Sequence, residues 1–246
     1  AASPKWFMGF SDNTNLTFLL PTLCDTAAIY GPNAPAFGME PWHPALFDAF
    51  ALLTGKRAAF ENYPRWQYAA LRDEEHPLLP YHLDRETKLR CFCPDAHGDM
   101  KETEAPLTLR GRLLGGCLDV LRGLAGTSYD RTEAFLRRYP DEPLLWFFES
   151  CDLNVFDMER SLWQLEHCGW FSHVGGFLIG RPLHFDEPLF GLDQYAAVLH
   201  RLEKYRVPII MDADFGHLPP ALPLVSGALA TVARRGNTLR LSYDFH

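Results

Sequence analysis

The sequence predicts an α/β fold in which parallel strands and helices alternate along most of the chain. Short apolar runs recur, each too short for a typical helix and each followed by apolar residues at helical spacing. A run that is apolar at successive positions is typical of a strand buried on both faces of a parallel sheet. The clearest of these runs are Trp6–Phe10, Pro143–Phe148 and Val207–Met211.

The first predicted strand leads directly into a predicted helix, and Ser11 lies at the turn between them. Asp12, Asn13 and Thr14 carry oxygens suited to capping, so the helix is expected to begin within a residue or two of Ser11. Such a turn is similar to a nucleophile elbow, which exposes a hydroxyl beside free backbone N–H groups. A serine after a strand is also a common helix cap, and Asn13 replaces the second glycine of the G-x-S-x-G pattern. The turn alone does not decide between the two.

The alternation continues to about residue 60 and then changes. A short strand is predicted to end within Ile29–Pro32, and a helix over Pro44–Leu53 ends before Gly55. From residue 61 to 105 prolines and charged clusters recur, and no apolar period is sustained. We therefore predict three parts: the nucleophile-bearing α/β domain in residues 1–60, a partly irregular connection in 61–105, and a second domain in 106–246.

The second domain opens with a predicted strand, Leu107–Leu114, that leads through Gly115 and Gly116 into a helix. A diglycine permits the close approach of a ligand or of another backbone, and packing explains it equally well. The apolar run 143–148 predicts a buried strand that ends abruptly at Glu149. Catalytic groups collect at the carboxyl ends of strands in α/β sheets, so Glu149 is a candidate acid. The alternative is a carboxylate that flanks the next helix or pairs with an arginine.

The remaining predicted elements are a helix over about 154–168, a strand over 174–179, a helix over about 192–205, a strand over 207–211 and a hairpin over 229–243. His217 lies in the loop that follows the strand 207–211. Gly216 before it and two prolines shortly after it predict a rigid loop. That context favours a functional role over that of an ordinary surface histidine.

Composition excludes several classes of function. The chain has 246 residues, is 47% hydrophobic and carries a formal charge of −8, so it can bury a sizeable core. Without a cluster of Lys and Arg, the acidic balance argues against a nucleic-acid partner. No apolar run approaches the roughly 18 residues of a membrane span, so no membrane partner is predicted. The six cysteines are not spaced as in a disulfide framework, which favours reduced thiols in the cytoplasm. The segment Cys91-Phe92-Cys93 with His97 lacks the usual ligand spacing of a zinc site.

Ser11, Glu149 and His217 share one feature, since each lies just past the carboxyl end of an apolar strand. Their order along the chain, serine then acid then histidine, is one in which a catalytic triad can be assembled. We predict that the three side chains converge.

These features together resemble the LD-carboxypeptidases, a family of serine peptidases that includes the microcin C self-immunity proteins. The resemblance extends over nearly the whole chain. The segments that carry it are Gly9-Phe10-Ser11-Asp12, Gly111 to Leu118, Phe148-Glu149, Gly180-Arg181-Pro182 and Asp214-Phe215-Gly216-His217. Several spaced segments in one order are more specific than any one of them.

The resemblance implies roles for particular residues. Ser11 is the implied nucleophile, Glu149 the implied triad acid and His217 the implied general base, with the backbone N–H of Asp12 in the oxyanion hole. The further candidates, for substrate binding, are Gly115, Gly116 and Arg181. The implied fold is the remainder of a flavodoxin-like, parallel-sheet N-terminal domain followed by a C-terminal swivelling β/α domain, with the site between them. A homodimer in the cytoplasm that needs no metal or cofactor is the implied form.

One departure from the family is visible in the sequence. Family members carry further strands and a glycine-rich segment ahead of the nucleophile strand, and that segment supplies a second oxyanion donor. We expect the chain as given to be poorly active, since losing one such donor costs about 10²–10³ in rate. The chain also begins without a methionine, so the sequence leaves open what precedes Ala1, including a targeting signal.

Three functions remain in competition. The leading one is cleavage of the amide between an L-centre and a C-terminal D-amino acid in a murein peptide. Detoxification of a peptidyl-nucleotide antibiotic is an alternative that needs an aromatic surface to stack the nucleobase. A binding protein of the same fold that has lost turnover is the alternative from a different class.

Overall fold

Strands and helices alternate along most of the computed structural model, which describes residues 5–245. The strands are β1 (Met8–Gly9), β2 (Ala28–Tyr30), β3 (Ala59–Glu61), β4 (Arg65–Trp66), β5 (Arg85–Glu86), β6 (Arg90–Pro94), β7 (Met100–Glu102), β8 (Leu107–Cys117), β9 (Leu144–Glu149), β10 (Val174–Gly180), β11 (Ile209–Ala213), β12 (Leu224–Ser226), β13 (Leu229–Arg235) and β14 (Thr238–Asp244). The helices are α1 (Thr14–Thr17), α2 (Leu19–Cys24), α3 (Pro44–Leu53), α4 (Leu118–Leu124), α5 (Thr132–Arg138), α6 (Val155–His167) and α7 (Gln194–Leu202). The predicted α/β class is confirmed.

Within residues 5–245, nine strands form one large sheet in the order β3-β14-β13-β8-β9-β10-β11-β6-β7. Its centre is parallel, because β8, β9, β10 and β11 pair side by side in one direction. Antiparallel strands flank this centre on both sides. The carboxyl ends of the four parallel strands therefore meet at a single edge of the sheet.

Two hydrophobic clusters cover the two faces of the large sheet. Successive residues of β9 point to opposite faces, so Trp146 and Phe148 pack in one cluster while Leu145 and Phe147 pack in the other. The first cluster takes in residues of α4, α6 and α7, and the second takes in residues of β2, α3 and the C-terminal hairpin. All six residues of β9 are buried, as expected for a central strand.

Strands β1, β2 and β12 form a separate small sheet in which β1 runs parallel to β2. The prediction of a first strand over Trp6–Phe10 that is buried on both faces is wrong. The strand covers only Met8–Gly9, and Trp6 is 37% exposed. The physical reason is that β1 lies at the edge of its sheet, so that within residues 5–245 one neighbouring strand pairs with it.

The segment 61–105 contributes to both regular and irregular structure. Strands β4 and β5 pair with each other, while β6 pairs antiparallel with β11 through Phe92 opposite Ile209. Residues 71–80 contain no strand or helix and are exposed. Because β6 and β7 extend the large sheet, part of this segment is built into it, and the three-part division of the chain stays a prediction. No helix within residues 5–245 combines the length and the hydropathy needed to cross a membrane.

Candidate active site

Ser11, Glu149 and His217 lie in one hydrogen-bonded chain, although they are far apart in the sequence. The Oγ of Ser11 is 3.0 Å from Nε2 of His217, and Nδ1 of His217 is 2.7 Å from Oε2 of Glu149. Ser11 follows β1, Glu149 ends β9, and His217 lies in the loop after β11. Both distances are within the reach expected between a nucleophile, its base and the group that orients the base.

The turn at Ser11 is sharp. Ser11 has a φ of 61°, in the left-handed region that few residues other than glycine adopt, and a 3-10 turn over Ser11–Asn13 leads into α1. Backbone strain of this kind clusters at functional sites. Gly9 makes room for the turn, since a Cβ there would lie 2.7 Å from Cγ of Asn13. The Asn13 amide in turn donates to Oδ1 of Asn33 at 3.0 Å, which fixes the loop after β2 beside the turn.

Glu149 is 1% exposed and is held at both carboxylate oxygens. His217 contacts Oε2, and the hydroxyl of Tyr30 donates to Oε1. The same hydroxyl oxygen accepts the backbone N–H of Ser11 at 3.3 Å. Burial, and then the charge of Glu149, raise the pKa of Tyr30 well above its ordinary value, so the phenol stays protonated as a donor. Tyr30 therefore connects the backbone of Ser11 to the carboxylate of Glu149.

Sequence analysis did not single out Tyr30. It is the last residue of β2, a strand parallel to β1, so it has the same place at a carboxyl strand end that made Glu149 a candidate. Position at the carboxyl end of a strand, which indicated Glu149, would also have indicated Tyr30. Tyrosines in apolar strands are common in hydrophobic cores, so the residue type alone did not indicate a functional hydroxyl.

We expect Tyr30→Phe to lower kcat about tenfold and to cost about 1–3 kcal/mol of stability, because a buried oxygen of Glu149 loses its donor. Hydrolysis rates and denaturant unfolding measure the two effects. Tyr63→Phe is the matched control, since the buried Tyr63 hydroxyl donates to Asp48 at 2.9 Å outside the triad. The control should lose stability and keep kcat. Equal losses of kcat in both variants would contradict the role given to Tyr30.

Neighbouring groups raise the pKa of His217. Burial is the largest single influence and lowers the pKa of His217, but the hydrogen bond to Glu149 and the charges of Glu149, Asp119 and Asp152 together raise the pKa above its ordinary value. A cluster of carboxylates thus favours the protonated imidazole. That is the form that a histidine takes when it acts as a general base and accepts a proton.

A pH profile of kcat/KM tests this tuning. The base must be neutral to accept a proton, so activity should fall as pH decreases through a pKa above the ordinary histidine value of 6.5. Asp119→Asn should move this acidic limb to lower pH, because it removes one of the charges that raise the pKa of His217. The exposed Asp186→Asn should leave the limb in place. A limb at or below the ordinary value would contradict the assignment.

A thiol lies beside the triad. The Sγ of Cys117 donates to Oδ2 of Asp119 at 3.2 Å. The Asp119 carboxylate also accepts the backbone N–H groups of Cys151 and Asp152, at 3.0 Å and 2.8 Å. Burial, followed by the charges of Glu149 and Asp119, raises the pKa of Cys117, so this wall of the site holds a neutral thiol next to two carboxylates.

The other predicted site residues occupy different places. Asp12 is exposed and is the second residue of the 3-10 turn, where backbone N–H groups lack an intrahelical partner. Gly115 and Gly116 lie inside β8 rather than at the start of a helix. A Cβ on Gly115 would lie 1.8 Å from the carbonyl oxygen of Phe147, and one on Gly116 would lie 2.5 Å from Cγ2 of Thr14. Both glycines thus permit close packing at the site.

Arg181 is 1% exposed and follows β10 directly. Its guanidinium forms a buried ion pair with Asp214, donates to the carbonyl oxygen of Asp212 at 2.8 Å, and lies 4.6 Å from the ring of Trp66. Asp214 also accepts the backbone N–H of Tyr63 at 2.7 Å. Arg181 thereby connects the end of β10 to the loop that carries His217.

A cavity of about 820 Å³ opens at the ends of β10 and β11. Its wall includes the aromatic side chains of Trp66, Phe185 and Tyr195. Asp212, which also lines it, accepts a hydrogen bond from the Tyr195 hydroxyl at 2.9 Å. Burial raises the pKa of Asp212 to about 6. The cavity therefore offers aromatic surface together with a buried carboxyl group whose pKa is raised.

Similar proteins agree with this architecture. Among solved structures, an MccF-like protein from Streptococcus pneumoniae in complex with AMP has a TM-score of 0.72 and 22% identity, and the alignment covers 99% of this chain and 70% of that one. The microcin C7 self-immunity protein MccF in complex with aspartyl sulfamoyl adenosine has a TM-score of 0.73 and 20% identity, covering 99% of this chain and 68% of that one. These similarities support the fold.

Sequence comparison gives the family. The Bacillus subtilis protein named "Putative carboxypeptidase YocD" is 27% identical over 244 residues, covering 99% of this chain and 68% of its own length. The microcin C7 self-immunity protein MccF of Escherichia coli is 25% identical over 235 residues, covering 92% of this chain and 62% of its own length. The chain thus spans about two thirds of these relatives. Residues 110–232, half of the chain, match the LD-carboxypeptidase C-terminal domain, and the chain therefore belongs to the LD-carboxypeptidase family.

Proposed function

We propose that the chain carries the site of a serine hydrolase that cleaves the amide between an L-centre and a C-terminal D-amino acid in murein peptides. The observation that supports this proposal most strongly is the hydrogen-bonded chain from Ser11 through His217 to Glu149. Membership of the LD-carboxypeptidase family supports the peptidase chemistry. A cytoplasmic location and a homodimer stay predictions that come from the family.

The residues have distinct roles in the proposed reaction. Ser11 Oγ attacks the scissile carbonyl carbon while Nε2 of His217 takes its proton, and the Asp12 N–H stabilises the oxyanion that forms. Glu149 accepts the Nδ1–H of His217, holds the imidazole in the correct tautomer and stabilises its charged form. His217 then gives its proton to the leaving amine of the D-amino acid, and water hydrolyses the acyl-enzyme by the same steps in reverse.

A second candidate substrate is a peptidyl-nucleotide antibiotic. The observation that favours it is the cavity wall of Trp66, Phe185 and Tyr195, because aromatic side chains stack nucleobases. None of the three triad side chains lines this cavity, but Arg181, which does, pairs with Asp214 in the segment that leads to His217. The structural relatives named above are complexes with AMP and with a sulfamoyl adenosine. The same three side chains could act on either substrate, since each substrate contains an acyl group bonded to a leaving group that Ser11 would displace.

The experiment compares three substrates with the full chain: a murein tetrapeptide ending in D-alanine, its diastereomer ending in L-alanine, and a peptidyl-adenylate. We expect release of D-alanine from the first and none from the second. Hydrolysis of only the peptidyl-adenylate would establish the second candidate instead. If the folded protein bound these compounds and neither it nor a form extended upstream cleaved any of them, the site would be that of a binding protein of the same fold.

A further inference from the structure

Three potential metal ligands of different types meet beneath the catalytic serine. Cys117, Glu149 and His217 each offer one ligand atom, and these three atoms lie within 4.8 Å of one another. We propose that this cluster, the Cys117–Glu149–His217 site, binds a thiophilic divalent cation such as Zn²⁺ and that binding switches the hydrolase off. The binding stands on the cluster alone, whereas the inhibition rests on the proposed function.

The donor set suits zinc. Thiolate, imidazole and carboxylate are the side chains that bind Zn²⁺ in proteins, at about 2.0–2.3 Å. Ligand atoms around a tetrahedral Zn²⁺ at those distances are roughly 3.3–3.8 Å apart, so a spacing within 4.8 Å requires shifts of about 1 Å. Rotation of the His217 imidazole about its side-chain torsions is enough for such a shift, and this side chain is 12% exposed. Three protein ligands leave a fourth position open for water.

The charges around the site favour a cation. The Asp119 carboxylate lies 3.2 Å from Sγ of Cys117, and two backbone N–H groups hold it in place. Among residues 5–245, no lysine or arginine forms an ion pair with Glu149 or Asp119, and His217 is the ion-pair partner of Glu149. A Zn²⁺ ion bound to one thiolate and one carboxylate would be neutral overall, which suits a buried position.

Binding would remove the machinery from Ser11. The thiol of Cys117 must lose its proton to solvent when its sulfur bonds the metal, because thiolate is the ligand. No oxidation or reduction is involved. With Zn²⁺ bonded to Glu149 and to Nδ1 of His217, the imidazole proton moves from Nδ1 to Nε2. Nε2 then faces Ser11 as an N–H donor and can no longer accept the serine proton. Inhibition should be reversed by a chelator, since no covalent bond of the chain is broken.

The test measures metal binding without substrate and inhibition separately. Co²⁺ replaces Zn²⁺ as a spectroscopic probe, because sulfur ligation gives cobalt a charge-transfer band in the near ultraviolet, and Zn²⁺ affinity is measured by competition with a chromophoric chelator. Cys117→Ser keeps a hydroxyl for Asp119 and removes the soft sulfur. Cys151→Ser is the matched control, since its backbone N–H bonds the same carboxylate. Cys93→Ser tests whether the metal binds instead to Cys91 and Cys93, whose sulfurs lie 3.8 Å apart.

We expect one Co²⁺ per chain with a charge-transfer band that Cys117→Ser removes, and a loss of Zn²⁺ affinity in that variant of at least about tenfold. Both control variants should keep the band. In the activity assay, each variant is compared with its own rate without metal, and Cys117→Ser should need at least about tenfold more Zn²⁺ for half inhibition. Absence of the band in the folded parent chain, or a band that Cys93→Ser removes and Cys117→Ser keeps, would overturn the site. Binding at Cys117 with undiminished hydrolysis would overturn the inhibition alone.

Discussion

Ser11→Ala is expected to remove hydrolysis of an LD-tetrapeptide, with a loss of about 10⁴–10⁶ in kcat and no loss of the fold. Knockouts of a triad nucleophile commonly cost this much, because the remaining groups have nothing to activate. Ser11 is half-buried at a turn, and its hydroxyl contacts His217. Its removal should therefore change stability little. Rates and thermal unfolding of the variant and the parent chain measure both effects.

The control for this prediction is Ser172→Ala, which changes an exposed serine in the connection between α6 and β10. It should keep the parent rate. If Ser11→Ala were to keep a near-normal rate while folded, the nucleophile would have to be another group. Cys151 would then be the nearest candidate in the sequence, because it follows Glu149 by two residues.

Glu149→Gln is expected to cost about 10⁴ in kcat, the size seen when a triad acid is replaced by its amide. The reason is the hydrogen-bond arrangement. Tyr30 already accepts the N–H of Ser11 and donates to Oε1, so it would hold the amide carbonyl oxygen at that position. The amide NH₂ would then face Nδ1 of His217 and force the tautomer in which Nε2 carries the proton. That tautomer cannot accept a proton from Ser11.

A double variant tests this explanation. Adding Tyr30→Phe to Glu149→Gln lets the amide turn so that its oxygen faces His217, and part of the lost rate should return. Glu166→Gln, which changes a surface carboxylate paired with Lys204, should have the parent rate. If the double variant were about tenfold slower than Glu149→Gln, which is the cost expected of Tyr30→Phe alone, the role given to the tautomer would be wrong.

The predicted elements agree with the structure where apolar runs decide them. The run 143–148 became the central strand β9, and the helix predicted over about 154–168 became α6, with Asn154 capping its first turn. These patterns predict well because burial of a whole strand or of one helix face depends on the local sequence. The hairpin predicted over 229–243 also formed, with β13 and β14 pairing antiparallel.

Predictions that depended on long-range partners agree less well. Asn13 and Thr14 were expected to cap the first helix, whereas the Asn13 amide donates to Asn33 and the Thr14 hydroxyl accepts the N–H of Cys117. Both partners lie far along the chain, so no local pattern reveals them. The exposure of Trp6 has the same origin, because the neighbours of a strand are fixed by topology and not by its own composition.

In the candidate site, too, local sequence predicted some features and long-range contacts decided the others. The position of each residue at a carboxyl strand end was visible in the sequence. The contacts of Tyr30 and Cys117 with the triad were not, since each depends on how β2 and β8 are placed beside β9. Strand-end position therefore predicts which residues can meet, and only the fold supplies the partners that tune them.

The most direct test of the triad is covalent trapping. An organophosphonate that reacts with activated serine hydroxyls is incubated with the parent chain, and the modified peptide is identified by mass spectrometry. We expect one modified residue, Ser11, with labelling absent in Ser11→Ala and strongly slowed in His217→Ala. Labelling at another residue, or at an equal rate when His217 is replaced, would contradict it.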